Sequence, residues 1–282
     1  LSKLLLIHTG GAIGMAPGPK GLTPMRGLVE SALSARLPAD MKLVANVFSP
    51  LLDSANVGPI HWNAMLEAIR THPGLPVIIT HGTDTMSFTV AALSQALVDE
   101  GRRVILCGSV VPLGEDGDAE ANLTLAIEAA TQEGDGVFLA FGGKLLTADG
   151  LVKHQSQDTV SLRTKQNEKL DPPRFRTFPE RRLAILTLTP GMPADFLSAA
   201  LATLDGAVLR VFGSGTVMAN PLVLDAIKQA IVDGKRIRAV SQSQNGGIIP
   251  GYFAAGAALW DIGVENGGDE TPEAALIKLW LN

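Results

Sequence analysis

What most constrains this 282-residue chain is a recurring pair of patterns, a short and continuously apolar run followed by a longer segment of helical periodicity. The runs fall at residues 4–8, 43–48, 77–80, 104–107, 137–141, 184–188, 207–211 and 237–240. Each is too short for a helix and lacks the polar alternation of a half-exposed strand, so each is expected to be a strand buried on both faces. Helical segments fit between them. "HWNAMLEAIRTHP" stops at Pro73, and "TMSFTVAALSQALVDEG" is expected to run to a C-terminal cap at Gly101. "DAEANLTLAIEAATQEG" and "NPLVLDAIKQAIVDGK" repeat the pattern with Gly134 and Gly234. In "TPEAALIKLWL", Thr271 stands where an N-cap belongs and Pro272 at the first helical position. Strands alternating with helices predict an α/β fold with a mostly parallel sheet.

The stretch from Thr164 to Arg182 breaks this rhythm, being polar and carrying Pro172, Pro173 and Pro179. The expected organisation is therefore a larger N-terminal α/β domain over residues 1–165, a linker over 166–182 and a smaller C-terminal α/β domain over 183–282. With a net charge of −5 and scattered basic residues, the chain lacks the clustered cationic face of a nucleic-acid binder. Cys107 is the only cysteine, which excludes a disulfide within the chain and a cysteine-based zinc site. His61, His72 and His154 show no metal-ligand spacing, and the acidic "GEDGDAE" lacks the ligand order of a calcium loop, reading instead as a solvated loop. No apolar run reaches membrane-spanning length, and a cytoplasmic protein is expected.

In open parallel sheets, ligands bind at the carboxyl ends of the strands. Three loops stand there: "HTGGAIGM" after the first run, "LLDSAN" after the second and a Ser-Pro turn, and "HGTDTM" after the third. A dinucleotide-binding turn is disfavoured in the first loop, since Gly10, Gly11 and Gly14 miss the G-x-G spacing and Pro17 and Pro19 forbid an immediate helix. A threonine nucleophile is the stronger reading. The Thr9 hydroxyl needs a base to take its proton. Thr83 and Asp84 lie at a strand-to-helix junction whose free N–H groups can steady an oxyanion, and Lys153 follows a glycine bend near another strand end. Plainer roles compete: Asp84 or Thr85 as a helix cap, Lys153 as a surface lysine, and His8 and His81 as hydrogen-bonded strand-end histidines. Spacing alone leaves an α/β enzyme with hydroxyls and a carboxylate at its strand ends.

Taken together, "HTGGAIGM" and "HGTDTM" resemble the paired signatures of the bacterial-type L-asparaginases, and "LLDSANVGP" looks like their D-S-S-N-M segment. "VILCGSVVPLGEDGDAEANL" and the final stretch from "SQSQNGG" to "ALIKL" resemble the type I, cytoplasmic branch. The resemblance implies an amidohydrolase converting asparagine to aspartate and ammonia without a metal or cofactor. By motif position it makes Thr9 the nucleophile of an acyl-enzyme and assigns Thr83, Asp84 and Lys153 to a second catalytic group. Asp53, Ser54, Gly82 and Asp84 would bind the amino-acid substrate, in sites built between paired chains of a homodimer or homotetramer. Three positions depart from the family pattern: Ala12 replaces a threonine, Leu22 stands where a loop tyrosine aligns, and Thr216 replaces an asparagine. These departures keep alternatives open: another amide, D-asparagine or a cyclic imide as substrate, or a non-catalytic asparagine or aspartate binder. The amidotransferase subunit that shares both signatures carries an extra N-terminal domain, for which no room is expected before Leu4.

Overall fold

The computed structural model describes residues 2–148, 150–159, 162–164 and 170–282. The chain divides into two compact units, Leu1–Phe178 and Pro179–Asn282. The first contains β1 (Ser2–Gly10), β2 (Met15–Gly18), β3 (Gly21–Pro24), α1 (Leu28–Ser34), β4 (Met41–Leu52), α2 (Pro59–Arg70) and β5 (Val77–Thr80). It continues through α3 (Met86–Ala96), β6 (Arg103–Cys107), α4 (Ala119–Ala130), β7 (Gly136–Phe141), β8 (Lys144–Thr147), β9 (Leu151–Lys153) and β10 (Leu162–Thr164). The second unit contains β11 (Leu183–Thr187), α5 (Ala194–Ala202), β12 (Gly206–Val211), α6 (Pro221–Val232), β13 (Arg236–Ser241), α7 (Ala254–Asp261), β14 (Glu265–Asn266) and α8 (Pro272–Leu281).

The larger unit is built on a six-stranded sheet in the order β4-β1-β5-β6-β7-β8, parallel except for β8, which pairs antiparallel with β7. Because side chains alternate across a strand, Leu4 and Leu6 face one side of β1 while Leu5 and Ile7 face the other, and all four are fully buried. Leu4, Leu6, Ile78 and Ile105 pack with Val29 and Leu33 of α1 and with Leu123 and Ala126 of α4. The second helical layer, α2 and α3, buries Leu66, Ile69, Val90 and Leu93. The smaller unit repeats the plan with a four-stranded parallel sheet, β11-β12-β13-β14. Its core joins Leu209, Ile237 and Ala239 to Leu197 of α5, Ile227 of α6 and Leu259 of α7. The molecule is thus a two-domain α/β protein with a larger N-terminal, mostly parallel sheet.

All eight expected strands form, but not all are buried on both faces. In β4 and β11, at sheet edges, no residue is fully buried, because an edge strand is flanked by a neighbour on one side only. Ser49-Pro50 is no turn: β4 runs through it to Leu52, and the register against β1 slips between His8 and Gly10 to absorb the extra length. The α3 helix stops at Ala96 rather than Gly101, since Asp99 already takes a left-handed φ of 60°. In α8, the Thr271 hydroxyl caps the Ala274 N–H at 3.1 Å and Pro272 opens the helix, as expected. Of the proline-bearing stretch expected as a linker, residues 166–169 lie outside the described residues. Its later part is held on the first unit, where the Asn63 side chain bonds both the N–H and the carbonyl of Phe178, whose ring lies 5.1 Å from Trp62.

Candidate active site

The carboxyl ends of β1 and β5 and the turn after β4 meet because the glycines allow it. Gly11 has φ +91°, and a Cβ on it would stand 2.6 Å from the Gly82 nitrogen. A Cβ on Gly82 would in turn lie 2.8 Å from the Ser54 hydroxyl oxygen. These contacts let three loops from distant parts of the sequence share one cleft of about 240 Å³. Its walls include Gly11, Ala12, Met15, Asp53, Ser54, Gly82, Thr83, Asp84 and Lys153. A larger cavity, about 380 Å³, lies at the opposite, amino-terminal edge of β6 and β7. There the Arg102 guanidinium is spent on the carbonyls of Ile69, His72 and Leu75, whereas the smaller cleft gathers Asp53, Ser54, Gly82, Thr83, Asp84 and Lys153. Its volume lies below the roughly 300–1,000 Å³ of clefts that take drug-sized ligands, which suits a small polar molecule.

Lys153 is the convergence point. Its ammonium donates to the Thr83 hydroxyl at 3.0 Å and pairs with the Asp84 carboxylate. The lysine side chain is 15% exposed and the aspartate 73%, so the pair opens to the cleft on its acidic side. This overturns the plainer readings of both residues. Lys153 is no free surface lysine, and α3 begins without a side-chain cap: Asp84 is committed to Lys153, while the Thr85 hydroxyl donates to the Ser54 carbonyl at 2.6 Å. That bond ties the second loop to the third. Asp53 accepts the Ala55 N–H at 2.9 Å and so shapes the turn that presents Ser54. Among the described residues the Ser54 hydroxyl has no hydrogen-bond partner, which leaves it available to a ligand.

Thr9 sits at the end of β1, 1% exposed, with its hydroxyl donating to the Thr80 carbonyl at 2.8 Å. It is not among the residues lining the cleft. His81 is a hydrogen-bonded strand-end histidine. Its Nδ1–H donates to the Gly82 carbonyl at 2.6 Å, Nε2 accepts from Thr89 at 2.8 Å, and Thr89 accepts from Trp62 at 3.0 Å. Burial lowers its pKa to about 4, so it is neutral at physiological pH. Among the described residues His8 is hydrogen-bonded only at Nδ1, which lies 2.7 Å from the Thr80 hydroxyl; burial lowers its pKa as well. The Cys107 thiol is buried, which raises its pKa and keeps it protonated.

The sequence reading passed over Ser109 and Ser156, which also line the cleft. Ser109 lies just past the end of β6, where the strand-end rule points, whereas nothing in its neighbourhood singles out Ser156. The acidic loop is exposed over residues 114–117 and leads into α4, as expected, but Asp118 is 7% exposed and binds the N–H groups of Val110 and Val111 at 3.0–3.1 Å. Leu22 lies on the β2–β3 hairpin, 47% exposed, and forms no part of the cleft wall. Thr216, in the smaller unit, directs its hydroxyl to the Phe212 carbonyl at 3.4 Å. Among the described residues, no three His, Cys, Asp or Glu side chains gather as a metal site, and no helix is long and apolar enough to cross a membrane.

Fold and cleft define an α/β protein with hydroxyls, carboxylates and a lysine gathered at its strand ends. The family model for "Asparaginase, N-terminal" matches residues 3–173, and that for "Glutaminase/Asparaginase C-terminal domain" matches residues 182–282. The chain belongs to the asparaginase family. It is 28% identical to L-asparaginase 1 of Escherichia coli K12 over 98% of this chain and 90% of that one. Among solved structures, the thermostable L-asparaginase of Thermococcus kodakarensis superposes with a TM-score of 0.84 at 24% identity, covering 99% of this chain and 92% of that one. L-asparaginase I of Vibrio cholerae does so with a TM-score of 0.81 at 27% identity and the same coverage.

Proposed function

We propose that the protein hydrolyses the side-chain amide of L-asparagine to aspartate and ammonia. The observation that carries the reading is the Thr83–Asp84–Lys153 contact, made across about 70 residues of sequence and opening onto the same cleft as Ser54 and Asp53. A zwitterionic amino acid needs an acceptor for its ammonium and donors for its carboxylate. Asp84 and Asp53 supply the first, and the Ser54 hydroxyl with the N–H groups around Gly82 the second. Thr9 then turns its hydroxyl from the Thr80 carbonyl and attacks the amide carbon. The resulting oxyanion is met by N–H groups at the start of α3, the proton given up by the Thr9 hydroxyl passes to the amide nitrogen as the C–N bond breaks, ammonia departs, and an ester to Thr9 remains. Thr83, polarised by Lys153, orients the water that hydrolyses it. The reading predicts that Thr9→Ala and Thr83→Ala each abolish ammonia release from asparagine; full activity in both variants would overturn it.

Ala12 and Met15 in the cleft wall favour a second reading, an enzyme retuned to another amide, D-asparagine or a cyclic imide. Losing one positioned hydrogen bond costs about 10²–10³ in rate, and a weakly active or non-catalytic asparagine or aspartate binder is a separate alternative. Ammonia release compared across asparagine, glutamine, D-asparagine and small imides decides between them. The resemblance to the type I branch supports a cytoplasmic homodimer or homotetramer, to be checked by light scattering during size-exclusion chromatography.

A further inference from the structure

Behind the loop that carries Thr83 runs a chain of three buried side chains. The Trp62 indole N–H, on α2, donates to the Thr89 hydroxyl, on α3, at 3.0 Å. That hydroxyl lies 2.8 Å from Nε2 of His81, whose Nδ1 lies 2.6 Å from the Gly82 carbonyl oxygen. His81 and Thr89 are fully buried and Trp62 is 3% exposed. The two ends fix the direction of every bond, because an indole nitrogen can only donate and a carbonyl oxygen can only accept. Thr89 therefore accepts from Trp62 and gives its one hydrogen to Nε2, and the imidazole carries its proton on Nδ1, toward Gly82. Burial lowers the His81 pKa to about 4, which keeps the ring in this neutral form. The chain ends on the peptide between Gly82 and Thr83, which is trans. In a trans peptide the C=O and N–H point to opposite sides. With the Gly82 carbonyl held on the buried ring, the Thr83 N–H points away from it. Gly82 and Thr83 both line the cleft, and among the described residues no hydrogen bond engages that N–H.

We propose that Trp62, Thr89 and His81 are positioning residues for the reaction: as one chain they clamp the Gly82 carbonyl and so hold the Thr83 N–H toward the cleft, among the donors that meet the oxyanion. None of the three lines the cleft, so each acts through the Gly82–Thr83 peptide. A donor held in place before reaction needs no reorganisation as charge develops, and this is where a fixed peptide gains over a mobile one. Each link is buried, so water does not compete for it, and removing the middle link leaves the indole N–H and Nε2 without partners. The chain crosses from α2 through α3 to the strand end, so the packing of these two helices sets the aim of a backbone donor in the cleft.

The inference rests on the amide hydrolysis proposed above, but its first test does not depend on turnover. Nitrogen-15 NMR of histidine-labelled protein, with the His81 signal assigned by its loss in His81→Gln, should show the Nδ1–H tautomer. An Nε2–H tautomer overturns the proposal. Thr89→Val keeps the shape and breaks the chain at its middle, whereas Thr89→Ser keeps the hydroxyl. The valine variant should lower kcat for asparagine roughly 5- to 50-fold with KM changed less than about twofold, and the serine variant should stay within about threefold of the unmodified protein. Trp62→Phe removes the indole donor and should lower kcat about 2- to 10-fold, with no further loss when added to Thr89→Val. An unchanged kcat in both Thr89→Val and Trp62→Phe, equal losses for valine and serine, or losses that multiply in the double variant would each overturn the inference. If Thr89→Val does not fold, Trp62→Phe carries the kinetic test alone. An absence of asparagine turnover would remove the functional reading. The tautomer and the Thr83 amide resonance, displaced in Thr89→Val and kept in Thr89→Ser, would then decide the inference.

Discussion

At the scale of single residues, the cleft depends on one cation. Lys153 touches both Thr83 and Asp84, and its side chain is mostly shielded from solvent. Lys153→Met keeps the aliphatic length and removes the charge, so ammonia release should fall about 10²- to 10⁴-fold while the melting temperature moves little. A loss of less than about tenfold would move the proton chemistry elsewhere. The motif residues Thr83 and Asp84 were legible in sequence because strand ends are where parallel sheets place ligands. Lys153 was marked in sequence only by a glycine bend near a strand end, and its pairing came from the resemblance alone, since its partners lie 69 and 70 positions away. The same distance explains the failed cap reading: a carboxylate free to cap α3 in isolation is taken by a lysine that only folding delivers.

Among the elements, the loop after β1 is held open by backbone rather than by side chains. Gly11 combines a left-handed φ of +91° with a 2.6 Å approach to the Gly82 nitrogen. Gly11→Ala should therefore cost about 1–3 kcal/mol in urea denaturation and reduce turnover through the same displacement. Thr271→Ala, which removes only the α8 cap, should cost about 1 kcal/mol in the same assay. A Gly11 variant as mild as the cap variant would show that the loop tolerates the displacement. Helix starts and the order of strands were readable because capping residues and apolar runs are local signals. The full length of β4, the early stop of α3 and the β2–β3 hairpin were not, because neighbouring strands and a left-handed Asp99 decided them.

For the whole molecule, buried histidines make stability depend on pH. The His81 pKa is lowered to about 4 by burial, below its unfolded value of 6.5, so between these values the unfolded chain binds more protons than the folded one. Stability should therefore be complete above about pH 6.5 and fall, by a few kcal/mol, as pH drops toward about 4. His8, lowered in the same direction, adds to the slope. Urea midpoints at about pH 7.5 and about pH 5 check this, and His81→Gln should flatten the difference; an equal slope in that variant would assign the effect to other groups. The two-domain α/β plan followed from the sequence alone, because buried parallel strands need unbroken apolar runs and helices need their own period, both of which are local properties. The loops able to bear chemistry followed as well, from strand ends and glycine spacing. Only the tertiary structure could pair Lys153 with Asp84, set Thr9 on the Thr80 carbonyl and bring the His8 ring to the Thr80 hydroxyl. Those contacts join residues far apart in the chain, and their distances are fixed by packing that no single segment encodes.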